Sequence, residues 1–225
     1  MRFILVCVAL FLPATGAFAL DVSGGLGLSL GAYSATTSVS YVVGNVMTST
    51  TTRENQTPIG VMAFVDATYA QLSVGYLVAD GGSTNYYYST GGVNTVDSTV
   101  GLDLNTTFLA MSVFAKYPFK MGRVTLFPLL GVEYDLNLTY TDSNGNNLKG
   151  TLANPGDASQ LWFKAGGGLD IPFPGFYLRP EALLGYKLPS QTERNAVAAA
   201  KAGGATGASV IDLELGFALM AGVAF

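Results

Sequence analysis

The most constraining feature of this sequence is a repeated alternation of apolar residues with small or polar ones. Between Asp21 and Ala32, the even positions are mostly apolar, whereas the odd positions are Asp, Ser and Gly. A period of two is typical of a β-strand whose two faces meet different surroundings. Because the same pattern recurs as far as Phe225, the sequence predicts an all-β fold.

The alternating segments are separated by connections of two lengths. The pattern covers residues 22–32, 59–69, 72–78, 109–117, 124–138, 161–171, 178–186 and 211–225. The connections near Ala70, Pro118 and Pro172 are short, and the others are long. Short periplasmic turns alternating with long extracellular loops are typical of a closed antiparallel transmembrane β-barrel. We therefore predict such a barrel with eight strands, or with ten if Ser83–Asp97 pairs into the wall.

Composition agrees with a barrel and excludes some partners. Mean hydropathy is +0.38, and only 12% of the residues are charged. The net charge of −4 argues against nucleic acid, which needs a basic surface. Without metal-ligand spacing or a phosphate-binding loop, we expect no metal and no cofactor. The expected partners are outer-membrane lipid and the barrel-assembly machinery, together with an extracellular ligand or a host surface.

The first nineteen residues have the pattern of a cleaved signal peptide. Arg2 provides the positive charge, Phe3–Leu12 the apolar region, and Ala17–Ala19 the small-residue cleavage site. Cleavage after Ala19 would leave residues 20–225 as the barrel. Cys7, the only cysteine, lies in the apolar region, so the mature chain has no thiol. We expect export to the outer membrane of a Gram-negative-type or spirochaete envelope.

An aromatic residue follows or ends each strand that returns to the periplasmic side, on the apolar face. These residues predict a periplasmic aromatic girdle made of Tyr69, Tyr117, Phe173 and Phe225. The whole pattern resembles the small outer-membrane barrels of the OmpA, OmpX and OmpW kind, across essentially the entire mature chain. The last strand, ending Leu219–Phe225, is similar to the insertion signal of those proteins.

The opposite face of the strands carries most of the charges and would line the lumen. This inward set comprises Asp66, Lys116, Glu133, Asp135, Lys164, Asp170, Arg179, Glu181, Lys187, Asp212 and Glu214, beside Trp162. An eight-stranded barrel is just wide enough for side chains to fill, and buried charges must be paired. The sequence thus predicts a charge network, with a narrow gated pore as the alternative.

Strand pairing suggests which lumen charges meet. If Ile171 pairs with Phe176, Lys164 lies diagonal to Glu181 and Asp170 lies diagonal to Arg179. Lys187 would lie at the height of Glu214. Two prolines interrupt the pattern of the strands, and we expect β-bulges close to Pro128 and Pro180.

The absence of histidine bears on catalysis. The enzymes among barrels of this kind resemble Ser-His or Asp-His enzymes, whose general base this chain lacks. We therefore expect that the protein is not an enzyme and has no catalytic residues. A carboxylate-only site at Glu133, Asp135 and Glu214 is conceivable, but an acidic mouth that attracts cations is the simpler interpretation.

The long loops would carry the functional variety of the protein. We expect extended hairpins at Thr36–Thr52, Ser83–Asp97 and Tyr140–Thr151, and a short helix over the mouth at Thr192–Ala202. The run Tyr86, Tyr87 and Tyr88 offers amphipathic contacts. The predicted function is a structural or adhesin-like surface role, with a narrow porin or an OmpW-like conduit for small solutes or apolar molecules as the alternative. A soluble lipocalin-like barrel is disfavoured, because the inward face holds the charges.

Overall fold

The computed structural model describes residues 21–43, 45–90, 93–142, 144–152 and 154–225. The predicted signal peptide, residues 1–19, lies outside the described residues and stays a prediction. Strands dominate the described chain. They are β1 (Ser23–Val43), β2 (Val46–Gln56), β3 (Ile59–Ala67), β4 (Ala70–Thr90), β5 (Val93–Lys116), β6 (Phe119–Met121), β7 (Val124–Asp142), β8 (Gln160–Phe173), β9 (Phe176–Lys187) and β10 (Gly207–Ala224). Helix α1 spans Gln191–Ala202, and two 3-10 helices span Lys149–Thr151 and Pro155–Ala158.

The strands close into an antiparallel ring of eight wall positions. Around the ring the order is β1, β3, β4, β5, β7, β8, β9 and β10, and β10 pairs back onto β1 from Ala224 opposite Ser23. Closure leaves the ring without an unpaired edge, which is the condition for a sheet that spans a membrane. The predicted all-β closed barrel is confirmed, with eight strands in the ring.

Two wall positions consist of two strands interrupted at a proline. β2 and β3 are separated by Thr57–Pro58, and β5 and β6 by Tyr117–Pro118. Proline has no backbone N–H to donate, so it breaks the ladder while the chain keeps its course. β2 therefore continues the wall position of β3 beyond the ring, and β6 continues that of β5.

The other two prolines do not create the bulges that the sequence suggested. The register between β7 and β8 is constant through Pro128, which lies opposite the break at Tyr117–Pro118. At Pro180 the β8–β9 ladder has a gap, but the register is the same on both sides. The expected bulges are wrong because Pro128 faces a break in the neighbouring strand and Pro180 interrupts the ladder without shifting its register. Bulges occur instead at Asp80/Gly82, Tyr86/Tyr87 and Thr107/Phe108.

The two ends of the barrel differ. We call the end with the tight connections, at Thr68–Tyr69, Gly122–Arg123 and Pro174–Gly175, the turn end, and the opposite end the loop end. At the loop end β1, β2, β4 and β5 continue beyond the ring as paired strands, which confirms two of the expected hairpins. The third is present only as a short hairpin: among the described residues one bridge forms, between Thr141 and Asn147, and the Leu148 N–H donates to the Tyr140 carbonyl. The chain then enters the 3-10 helix Lys149–Thr151 where an extended hairpin would continue as a strand. The Asp142 side chain accepts hydrogen bonds from the backbone N–H groups of Asn144 and Asn146.

Helix α1 matches the predicted helix closely. Ser190 and Glu193 form a capping box at its start, and Gly203 caps its end. The helix lies in the connection between β9 and β10, at the loop end. Among the described residues, no helix combines the length and hydropathy that crossing a membrane requires.

The alternation along each strand separates an apolar exterior from a polar interior. Outward residues are largely exposed, as with Leu26 at 69% and Leu28 at 65%. The inward residues are buried and include most of the charges. Gly168 shows why small residues occupy this face, since a Cβ there would lie 2.6 Å from the ring of Phe127. Glycine at this position therefore makes room for the bulky Phe127 side chain in the lumen.

Candidate functional site in the lumen

Arg179 on β9 is the centre of a polar layer at the turn end of the lumen. Its side chain is fully buried, at 0% exposure. Its Nε donates to Asp170 at 2.6 Å, its Nη2 to Asp66 at 2.7 Å, and its Nη1 to the Gln71 amide oxygen at 3.1 Å. A buried guanidinium needs partners for its donors, and three strands supply them here.

Aromatic rings enclose the same guanidinium. The Arg179 Cζ lies 4.7 Å from the ring centre of Phe64, 4.8 Å from that of Phe127 and 5.1 Å from that of Tyr177. Lys116 pairs with Asp66 and lies 4.8 Å from the same Phe127 ring. Ion pairs, hydrogen bonds and rings from β3, β4, β5, β7, β8 and β9 therefore meet in one layer at the turn end of the lumen.

Lys164 on β8 holds a second layer near mid-height. Its Nζ contacts Glu133 at 2.5 Å and Glu214 at 2.8 Å, and it lies 5.7 Å from the Trp162 ring. Glu181 lies between the two layers, where Gln71 donates to its Oε2 at 3.3 Å. Its Oε1 has no hydrogen-bond partner. A cavity of about 40 Å³ separates Glu181 from Lys164 and its partners.

Lys187 on β9 forms a third layer toward the loop end. It pairs with Asp212 on β10 and, at 2.9 Å, with Glu193 on helix α1. Tyr33 donates to Asp212 at 3.3 Å and packs edge-on against Trp162, with ring centres 5.6 Å apart. One lysine thus ties the loop-end helix to the barrel wall.

The expected pairings are partly wrong because the β8–β9 register differs by two residues from the predicted one. Ile171 pairs with Leu178, not with Phe176. Asp170 and Arg179 consequently come into direct contact, whereas Lys164 contacts Glu133 and Glu214 instead of Glu181. Lys187 contacts Asp212 where the sequence suggested a position beside Glu214.

The structure brings the predicted lumen charges into these layers, but whether they act as a gate stays a prediction. Asp135 is also buried in the lumen, next to the Lys164 layer along β7, and its Oδ1 has no partner. Within the described lumen set, the carboxylates outnumber the cations by three. The carboxylates are Asp66, Glu133, Asp135, Asp170, Glu181, Asp212 and Glu214, and the cations are Lys116, Lys164, Arg179 and Lys187.

Sequence reasoning missed the neutral members of the Arg179 layer. Gln71 follows the short connection near Ala70, and its alternation with Leu72 places it on the inward face. Phe64, Phe127 and Tyr177 share that inward face and contact the guanidinium. The signal that would have found them is the parity of each strand.

The four girdle residues lie at the turn end with outward side chains. Tyr69 and Tyr117 have ring centres 6.0 Å apart, and Phe119 extends the group at 5.0 Å from Tyr117. Phe173 stacks on Phe176 at 5.1 Å, and Phe225 is the most exposed of the four. That the girdle meets a membrane interface stays a prediction.

The three tyrosines lie on β4, in the part that extends beyond the ring. Tyr86 and Tyr88 share one face, with 38% and 47% exposure, and Tyr87 lies on the other. β2 pairs with this segment on one side and β5 on the other. Within the described ranges, no group of three or more His, Cys, Asp or Glu side chains could hold a metal ion.

Comparisons with known proteins concern architecture. Neither protein-family models nor curated proteins give a match. Among solved structures, the chain is similar to the outer membrane protein OprG from Pseudomonas aeruginosa, with 13% identity and a TM-score of 0.41 over 93% of this chain and 98% of that one. It is also similar to the outer membrane protease OmpT from Escherichia coli, with 8% identity and a TM-score of 0.33 over 94% of this chain and 100% of that one. It is similar as well to the translocator domain of the autotransporter NalP from Neisseria meningitidis, with 13% identity and a TM-score of 0.26 over 100% of this chain and 94% of that one.

The prediction that the chain is not an enzyme is corrected by this comparison. An outer membrane protease is among the similar structures, so a barrel of this general kind does not exclude catalysis. The missing histidine bears only on mechanisms that need an imidazole. At these identities and TM-scores, the likeness assigns no activity to this chain.

Proposed function

We propose that this chain is an integral outer-membrane barrel that presents its projecting strands to an extracellular ligand or a host surface. The observation that carries the proposal is the contrast along the wall. The ring has an apolar exterior and a charged interior, whereas β1, β2, β4 and β5 continue beyond it as a sheet rich in Thr, Ser and Tyr.

The exterior of the ring supports the membrane part of the proposal. Outward Leu, Val, Ile and Phe side chains are exposed on all eight wall positions. Soluble proteins rarely expose apolar patches larger than a few hundred Å², because such surfaces associate. A lipid environment removes that penalty, and the aromatic residues at the turn end fit its interface. With the turn end periplasmic, the projecting sheet faces the outside.

The sheet supports the interaction part. Its strands are held by backbone pairing from Tyr33–Val43 with β2, and from Thr48–Asn55 with β4. Tyr86 and Tyr88 present exposed rings on one face of this rigid scaffold. Tyrosine provides a large contact area at low entropic cost, and it is therefore common in binding surfaces.

Excision of the β4–β5 projection tests the proposal. Because Ser83 pairs with Gly101, removing residues 84–100 leaves two facing positions that a short turn can join. We expect bacteria displaying the trimmed barrel to lose attachment to an epithelial monolayer, while the boiling-sensitive shift on SDS gels persists. A double change of Tyr86 and Tyr88 to Ser should weaken attachment, with Tyr41→Ser on β1 as the matched control. Undiminished attachment of the trimmed barrel would show that the proposed surface role is wrong.

A narrow conduit is the second candidate, and a series of cavities favours it. The 40 Å³ cavity beside Lys164 borders a smaller one at Trp162 and Asp135 through Glu214 and Leu77. That one borders a larger pocket at the loop end through Tyr33 and Phe108. Arg179, Asp66 and Asp170 are not among the described lining residues of these three cavities, so a conduit reaching the turn end would require the Arg179 layer to rearrange. Steady single-channel openings in planar bilayers would favour the conduit, and persistent silence would remove an aqueous pore.

A further inference from the structure

The loop-end pocket has features that neither candidate function explains. It has a volume of about 150 Å³ and lies where β1, β2, β5 and β7 meet the 3-10 helix Pro155–Ala158. Its lining includes Tyr33, Glu54, Thr106, Asn137, Tyr140 and Asp157. A volume of this size suits one small molecule and excludes a folded segment of another chain.

Three lining residues carry buried acceptor oxygens without partners. These atoms are Thr106 Oγ1, Asn137 Oδ1 and Asp157 Oδ2, and none has a hydrogen-bond partner. Thr106 and Asn137 are each only 3% exposed. The Asn137 amide is oriented by its Nδ2, which donates to the Thr139 carbonyl at 3.0 Å, so its oxygen is the end left over. Buried acceptors in native proteins normally have donors, and three orphans in one pocket indicate a ligand rich in N–H or O–H groups.

The charge of the pocket indicates which donor fits. Glu54 and Asp157 line it, and no lysine or arginine is among the lining residues that the structure describes. Lys149 donates to the backbone carbonyl of Asn137 at 2.7 Å, and Lys187 lies close enough to Glu54 to attract it electrostatically. Below the pocket the lumen adds its excess of carboxylates. A cleft lined by one sign of charge concentrates the opposite ion.

Apolar and aromatic groups complete the lining. Leu104, Phe108 and Leu152 offer surface for a short hydrocarbon stem, and Tyr33 and Tyr140 offer rings beside a cation. We propose that the loop-end pocket binds a small primary ammonium ion, whose charge faces Glu54 and Asp157 and whose N–H groups donate to Thr106, Asn137 and Asp157. This site depends on neither the surface role nor the conduit.

Two probes of equal charge test the proposal on the mature protein refolded in detergent micelles. Isothermal titration calorimetry should show saturable binding of n-butylammonium chloride. Tetramethylammonium chloride carries the same charge but no N–H donor, so it should bind at least about tenfold more weakly if each lost hydrogen bond to a buried acceptor costs about 1.4 kcal/mol or more. Absence of saturation by n-butylammonium, or equal affinity for both probes, would overturn the proposal.

Variants locate the site. Asn137→Leu removes an orphan acceptor, and Asp157→Asn removes a charge; we expect each to weaken n-butylammonium binding at least about tenfold, since 1.4 kcal/mol is tenfold. Asp21→Asn, at the turn end, is the matched control and should bind as the parent does. The boiling-sensitive gel shift verifies that each variant folds. If a variant does not fold, the comparison of the two probes on the parent protein tests the proposal by itself. Binding that survives unchanged in both folded variants would overturn the assignment to this pocket.

Discussion

The two ends of the barrel accommodate charged side chains in opposite ways. At the turn end, Arg179 is fully buried and its charge is compensated by Asp66 and Asp170 inside a shell of aromatic rings. At the loop end, Arg53 on β2 is exposed, and its strand is held by backbone pairing with β1 and β4. The same residue type is therefore part of the packed interior in one region and of a solvated surface in the other.

The comparison shows where the stability of the fold resides. In the lumen, most charges form an ion pair with a residue on another strand or on helix α1, so a single change affects several wall positions, whereas Asp135 and Glu181 each keep an oxygen without a hydrogen-bond partner. In the projecting sheet, Arg53, Tyr86 and Tyr88 are exposed while Thr84 and Ser89 are buried, and backbone pairing orders the strands. Such a sheet tolerates substitution, and tolerance to sequence change suits a surface that meets partners.

Arginine replacement should give the largest difference between the two regions. Arg179→Met leaves the buried Asp66 with Lys116 as its remaining cation and removes the ion pair of Asp170, so the free energy of unfolding should fall by about 3–5 kcal/mol. Arg53→Met should change it by less than about 0.5 kcal/mol. Urea unfolding in lipid vesicles, followed by the fluorescence of Trp162, the only tryptophan, measures both. Equal losses of unfolding free energy in the two variants would mean that the Arg179 layer contributes no more to stability than the exposed Arg53 does.

An arginine introduced on the outer surface should have an effect of intermediate size on stability, and the effect should differ between the ring and the projecting sheet. Leu28→Arg places a cation on the apolar exterior of the ring and should cost about 2–4 kcal/mol in lipid. Thr50→Arg, on an exposed position of β2 beyond the ring, should cost less than about 0.5 kcal/mol. The same vesicle titration applies, with Leu28→Ala as the control for lost apolar area. A tolerated Leu28→Arg would contradict the membrane location of the ring.

Protonation of Glu193, which links helix α1 to the barrel wall, should have the smallest effect on stability. Burial raises the pKa of Glu193, but hydrogen bonds from Lys187 and Ser190 outweigh it and leave the pKa below its ordinary value of 4.5. A depressed carboxyl pKa stabilises the folded state above the ordinary value, and that stabilisation disappears as the pH falls through the lower, folded pKa. Because the side chain is partly exposed, we expect less than about 1 kcal/mol.

Nuclear magnetic resonance can follow that transition. The amide N–H of Ser190 donates to Glu193 Oε2 at 2.6 Å, so its chemical shift should change as the carboxyl is protonated below pH 4.5. Glu193→Gln should remove this pH dependence while the rest of the spectrum is retained. A shift change that persists in the Gln variant would show that the transition does not belong to Glu193.

Local pattern was sufficient for the elements of this fold. The alternation predicted the eight wall positions and the inward face, and the turn and capping residues predicted two projecting hairpins and helix α1. It overestimated the hairpin at Tyr140–Thr151, because the chain forms the 3-10 helix Lys149–Thr151 after the single bridge between Thr141 and Asn147. It also misjudged Pro128 and Pro180, since the effect of a proline depends on what lies on the neighbouring strand.

The sequence by itself determined the class of the molecule, because a period of two specifies which residues share a face regardless of what that face contacts. Only the tertiary structure decided which charged side chains contact each other in the lumen. A register offset of two residues leaves the alternation unchanged. It nevertheless determines that Lys164 contacts Glu133 and Glu214, and that Arg179 contacts Asp170. The loop-end pocket was equally hidden, because Glu54, Thr106, Asn137 and Asp157 come from distant segments that meet only when the ring closes.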